Sequence, residues 1–177
     1  MNDLQVVEQK IKYLIAEFKA YPEKFLTEDD IRCYLYHLLL EEFNDIQTCK
    51  DNSKSIPIHA EVRWYGNSGR LKFRSDIVVI DISSLRTSDK TFKLPSKGYA
   101  FNKPKVIIEV KLRRKNGKSN NRFKTEIERD RNKLRNLREE VENGFASFLL
   151  IFDKKNNMNL MANSRQDYKE YYIYPYT

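Results

Sequence analysis

Lys105-Val106-Ile107-Ile108-Glu109-Val110-Lys111-Leu112-Arg113-Arg114 is the stretch on which the reading of the whole chain turns. Its beginning is almost continuously apolar, the pattern of a strand covered on both faces, which places it centrally in a sheet. Side chains alternate along a strand, so Glu109 and Lys111 project from one face and Val110 from the other. A carboxylate and an ammonium side by side on such a strand are costly to bury unless they pair, or hold a metal ion and a reacting group. The triplets Glu8-Gln9-Lys10 and Glu17-Phe18-Lys19 have the same composition but fall in a helical pattern, where residues two apart do not share a face. They read as solvated surface.

Upstream, GRLKFRSDIVVID (residues 69–81) alternates and then turns apolar, with Asp76 at the junction. IPIHAEVRW (residues 56–64) alternates as well, sending Ile58, Ala60, Val62 and Trp64 one way and His59, Glu61 and Arg63 the other. Tyr65-Gly66-Asn67-Ser68 has turn chemistry, so the two segments predict an antiparallel hairpin. With Trp64 opposite Gly69, Glu61 pairs with Lys72 and His59 with Arg74, and Asp76 stays on their polar face. Residues 83–104 lack a periodic apolar pattern and contain Pro95, Gly98 and Pro104, which predicts a long loop.

Two helices precede the hairpin. Leu4, Val7, Ile11, Leu14, Ile15 and Phe18 make the first amphipathic, and Thr27 with Asp30 forms a capping-box signature opening the second, which extends to about Glu42. After the central strand, Phe123, Ile127, Leu134, Leu137 and Val141 predict a long charged helix over residues 121–142, closed by Asn143-Gly144. FASFLLIFD (residues 145–153) follows as a buried strand. Residues 156–166 read as a short helix or loop, and Tyr171–Tyr176 as an edge strand with its proline at one end. The order αα-βββ-α-β, with a candidate last strand, predicts an α/β fold: a mixed central sheet flanked by helices. No linker divides the chain, so residues 1–177 read as one domain, with a helical extension at 1–26, a core at 27–153 and a C-terminal extension at 154–177.

A formal net charge of +8 and a pI near 9.3 give the surface a positive field that attracts polyanions, nucleic acid first among them. Arg63, Lys72, Arg74 and Arg113 on the strands, with Arg114 and Lys115 beyond them, are the candidate nucleic-acid contacts, joined on the polar faces by His59 and Lys105. A solvated charge run is the alternative for the 114–118 loop. Cys33 and Cys49 lack metal-ligand spacing with His37 or His59, and Cys33 falls on the half-buried side of its helix, so both read as structural thiols. There is no P-loop and no nucleophilic serine motif, which sets aside NTP hydrolysis and acyl transfer. The first 18 residues mix acids and lysines with apolar residues, a pattern of neither a signal peptide nor a membrane span, and the expected compartment is the cytoplasm.

Two carboxylates from neighbouring strands, Asp76 and Glu109, suit a hard, oxygen-seeking cation such as Mg2+. Ser75-Asp76-Ile77-Val78-Val79 in one strand and Ile107-Ile108-Glu109-Val110-Lys111 in the next, with a helix before the hairpin and a helix and apolar strand afterwards, resemble the PD-(D/E)XK superfamily of nucleases, also called restriction-endonuclease-like. The resemblance spans residues 27–153, with a serine where the motif's name has proline. It implies that Asp76 and Glu109 bind Mg2+, or Mn2+ in its place, with the Val110 carbonyl as a further ligand. It implies that Lys111 orients the attacking water or helps deprotonate it. A further acid often joins such a site. Glu28, inward-facing at a helix start, and Glu61, sharing the Asp76 face, are both candidates. Each has a structural alternative, a first-turn acid favoured by the helix dipole for Glu28 and a cross-strand pair with Lys72 for Glu61.

The expected activity is therefore metal-dependent phosphodiester hydrolysis, by a DNA endonuclease of a defence, repair, recombination or mobile-element system, with RNA left open as a substrate. A homodimer would supply two active sites for cutting a duplex. The competing expectations are a catalytically silent nucleic-acid-binding module of the same fold and an interaction subunit that uses its basic face on an acidic protein.

Overall fold

The chain runs α1 (Asp3–Ala20), a 3-10 turn (Pro22–Lys24), α2 (Glu28–Leu40), β1 (Gln47–Thr48), β2 (Lys54–Ser55), β3 (Ile58–Tyr65), β4 (Leu71–Ile80), a 3-10 turn (Ile82–Ser84), β5 (Pro104–Arg113), α3 (Asn120–Glu140), β6 (Ala146–Asp153) and β7 (Lys169–Ile173). The computed structural model describes residues 2–65, 71–87, 103–140, 144–158 and 168–176. The turn at residues 66–68, most of the long loop after β4, Asn143 and residues 159–166 lie outside the described residues.

The central stretch is β5, third of the five strands that the described residues contribute to the main sheet, in the order β3-β4-β5-β6-β7. It pairs antiparallel with β4 and parallel with β6, and α3 is the crossover that the parallel pairing needs. The sheet is thus mixed, as expected, and β7 is an edge strand parallel to β6. Helices cover both faces, which is why β4 and β5 carry unbroken apolar runs. On one face Val7, Ile11, Leu14 and Phe18 of α1 and Ile31, Leu35 and Leu39 of α2 pack on Ile77, Val79, Ile108 and Val110. On the other, Phe123, Ile127, Leu134 and Leu137 of α3 pack on Val78, Ile80, Ile107, Leu149 and Ile151. No helix among the described residues is long and apolar enough to cross a membrane.

The capping box at α2 forms as read. The Thr27 hydroxyl accepts the Asp30 N–H at 3.1 Å, and the Asp30 carboxylate accepts the N–H groups of Thr27 and Leu26 at 2.8 Å each. The helix stops at Leu40, short of Glu42, where its last turn tightens and the Glu42 N–H reaches the Leu39 carbonyl three residues back at 3.1 Å.

Hairpin register is the main correction. Trp64 lies opposite Phe73, Arg63 opposite Arg74 and His59 opposite Val78, so the pairs Glu61–Lys72 and His59–Arg74 do not form. Burial of Trp64 decides this: its indole N–H needs an acceptor and finds the buried Ser75 hydroxyl at 2.9 Å. The expectation that Ile58, Val62 and Trp64 share a face also fails. Ile58 joins the core under α1 and α2, whereas Val62 and Trp64 join the core under α3. The switch falls at Glu61, whose φ of 54° puts a left-handed residue inside the strand between the Ala60↔Ile77 and Val62↔Ser75 pairs, opposite Asp76. Cys33 is exposed rather than half-buried, and Cys49 is buried.

Candidate active site

Hydrogen bonding between β4 and β5 runs from Pro104 to Ile108 on β5 and stops there. Past that point the strands fork, and the amides of Val110 and Leu112 are satisfied by carboxylates instead of by β4 carbonyls. Asp76 Oδ2 accepts the Val110 N–H at 2.8 Å, and Glu28 Oε2, from the first turn of α2, accepts the Leu112 N–H at 3.1 Å. The fork therefore brings Asp76 and Glu28 to the segment that carries Glu109 and Lys111.

Glu109 is fully buried. One of its oxygens, Oε2, accepts a hydrogen bond from the Lys133 amine, while Oε1 is buried and has no hydrogen-bond partner among the described residues. Burial pushes the Glu109 carboxyl up to about 8; Lys133 opposes this, and the nearby charges of Asp76 and Asp130 add to it. Lys111 donates to Glu28 Oε1 at 2.9 Å and to the Val110 carbonyl at 3.1 Å, and its amine lies 3.1 Å from Asp130 Oδ2. Burial pulls the Lys111 amine down, but the carboxylates of Asp130, Glu28 and Asp76 outweigh it and hold the amine above the ordinary lysine value. Lys111 is thus a held cation, able to donate hydrogen bonds and to stabilise negative charge. Asp76 Oδ1 lies 3.5 Å from the Arg32 guanidinium of α2.

Of the two open acids, Glu28 joins Lys111, while Glu61 is engaged by arginines: Arg32, and Arg74 at 2.8 Å. The structure adds a pair that sequence reasoning missed. Asp130 and Lys133 of α3 both face the site, 3.6 Å apart, and Lys133 also donates to the Arg74 carbonyl at 3.0 Å. A signal was present. Phe123, Ile127, Asp130, Leu134 and Leu137 follow four-and-three spacing, so Asp130 occupies a slot in the apolar stripe of the helix. The many charged residues around Asp130 on the same helix hid it.

The basic residues divide. Arg63, Lys72 and Arg74 are exposed on the β3–β4 hairpin, and Arg114 and Lys115 are exposed after β5, with Lys115 3.4 Å from Glu23. Arg113 does not belong with them: it is fully buried, bound by Asp153 through Nε at 2.7 Å and Nη2 at 2.5 Å, because its face of β5 is covered by α3 at that end. Lys105 pairs with Asp3 at the far end of the strand, and His59 sits near the Ser55 hydroxyl at 3.4 Å. A cavity of about 310 Å³ borders the site, lined by Thr27, Glu28, Leu112, Arg114, Lys118 and Arg122 among others.

Among the described residues no three His, Cys, Asp or Glu side chains gather as a metal-holding group. What the site offers a divalent ion is two carboxylates and a backbone carbonyl. That set fits Mg2+, which keeps several of its waters, and the unpartnered buried oxygen of Glu109 is the atom such an ion would satisfy. No family model matches the sequence, and no curated protein or solved structure matches it either.

Proposed function

We propose that the chain is a divalent-metal-dependent nuclease with a restriction-endonuclease-like core, hydrolysing phosphodiester bonds in DNA. The observation that carries this reading is the strand fork, where Asp76 and Glu109 stand on adjacent strands beside the charged Lys111, with one buried Glu109 oxygen unpartnered. Asp76, Glu109 and the Val110 carbonyl would hold Mg2+, or Mn2+ in its place. When bound, such an ion polarises a phosphoryl oxygen and acidifies its water.

Lys111, kept protonated by Asp130, Glu28 and Asp76, would donate hydrogen bonds to the nucleophile or to the developing phosphoryl charge rather than remove a proton. Glu28 fixes the amine and, through the Leu112 N–H, the strand that carries it. Arg63, Lys72 and Arg74 on one side and Arg114 and Lys115 on the other would take the phosphates that flank the scissile bond. Two such chains, one per strand, would cut a duplex, so a homodimer belongs to this reading.

One observation favours a second reading. Arg32 already lies against Asp76, and Lys133 against Glu109, so the ion pairs alone could serve a silent DNA-binding module. Incubating supercoiled plasmid with the protein, with and without Mg2+ or Mn2+, separates the two. The nuclease reading expects nicking that needs the ion and is lost by at least 100-fold in Asp76→Asn, Glu109→Gln and Lys111→Ala, while DNA affinity persists. Salt-sensitive DNA binding without any cleavage by the wild type would select the silent module.

A further inference from the structure

Lys133 is a lysine in an unusual place. It lies on α3 three residues after Asp130, and its side chain is only 15% exposed. Its amine joins three elements: Glu109 Oε2 on β5, the Arg74 carbonyl on β4 at 3.0 Å and Asp130 Oδ1 on its own helix at 3.6 Å. A lysine placed only to pack α3 on the sheet would keep its head in water, as long cationic side chains usually do.

The two oxygens of Glu109 thus have different fates. Oε2 is committed to an ammonium, and Oε1 is left without a partner in a buried position. Two-ion sites of phosphoryl-transfer enzymes place their ions about 4 Å apart, which calls for carboxylate oxygens free to serve both. Here the second oxygen is taken. The charges agree. Glu28, Asp29, Glu61, Asp76, Glu109 and Asp130 face Arg32, Arg74, Lys111 and Lys133, so two negative charges are in excess. One divalent ion cancels that excess, whereas a second would leave the site with two positive charges over.

We infer that Lys133 is a fixed cation of the site, holding Glu109 Oε2 so that the chain takes a single divalent ion. The inference rests on the metal-dependent reading above and gives it a stoichiometry. Lys133 is a positioning residue: it acts on the bound ion and the substrate through Glu109.

The test is a count of bound Mn2+ on the full chain, followed by the loss of the free-ion electron paramagnetic resonance signal at alkaline pH, for the wild type, Lys133→Met and Lys133→Arg. The expected result is one ion per chain for the wild type and for Lys133→Arg, and two for Lys133→Met, whose freed Glu109 oxygen admits the second. A wild type that binds two ions overturns the inference and leaves the metal reading standing. So does a folded Lys133→Met that binds one ion with wild-type affinity. The wild-type count decides the matter alone should Lys133→Met not fold. A wild type that binds no Mn2+ at millimolar concentration overturns the metal reading, and this inference with it.

Discussion

Glu109 and Arg113 occupy the same face of the same strand, four residues apart, and both are wholly buried, yet their surroundings differ in kind. Around Arg113 every group is matched. Asp153 takes two of its donors, Asn120 and Asn157 take others, and the Asp153 oxygens also accept the Lys155 N–H at 3.0 Å and the Tyr172 hydroxyl at 2.9 Å. Around Glu109 carboxylates outnumber donors, one oxygen is unpartnered, and its proton is held to about 8. A buried charge whose partners close around it serves the fold. A buried charge left short of a cation is arranged for something that arrives later.

This contrast can be broken by experiment. The largest effect is expected at the closed network: Arg113→Met leaves Asp153 buried without its cation and should cost about 3–5 kcal/mol in denaturant unfolding. A loss below about 1 kcal/mol would show that Arg113 is not the keystone it is taken for.

At the open end the sign reverses. The folded chain binds the Glu109 proton more tightly than the unfolded chain, at about 8 against an ordinary 4.5, so this group's contribution is complete below 4.5 and lost as pH rises through 8. Metal-free wild type should therefore lose a few kcal/mol across that window, and Glu109→Gln, which stays neutral, should be the more stable protein at its alkaline end. Equal pH profiles for the two would remove the distinction between the two ends of β5. Since a cation competes with that proton, ion affinity should also climb with pH through the same range.

Much of this was legible in advance. The unbroken apolar run of residues 106–108 announced a strand covered on both faces, and Thr27 with Asp30 announced the start of α2, because both are local patterns with local causes. Thr27→Ala tests the second, with an expected loss of about 1 kcal/mol and the helix otherwise retained by circular dichroism. What stayed hidden depended on partners remote in sequence. Arg113 read as one more member of a basic run because Asp153 lies 40 residues away, and the Asp130–Lys133 pair was lost among the many charges of its helix. The hairpin register followed from where Trp64 could find an acceptor, which alternation alone does not specify.

The smallest effect concerns the face switch at Glu61. Its positive φ strains any residue with a Cβ, so Glu61→Gly should be more stable than Glu61→Ala by about 1 kcal/mol, although both lose the contacts with Arg32 and Arg74. Equal stabilities would mean that the strand crosses between the two cores there without a left-handed residue.

The central claim, that the fork is left short of a cation so that a divalent ion can complete it, is tested most directly by thermal unfolding at alkaline pH with and without millimolar Mg2+ or Mn2+. The account predicts a rise in the wild-type melting temperature that grows with ion concentration and is absent in Asp76→Asn and Glu109→Gln. No rise in the wild type, or the same rise in all three proteins, would contradict it.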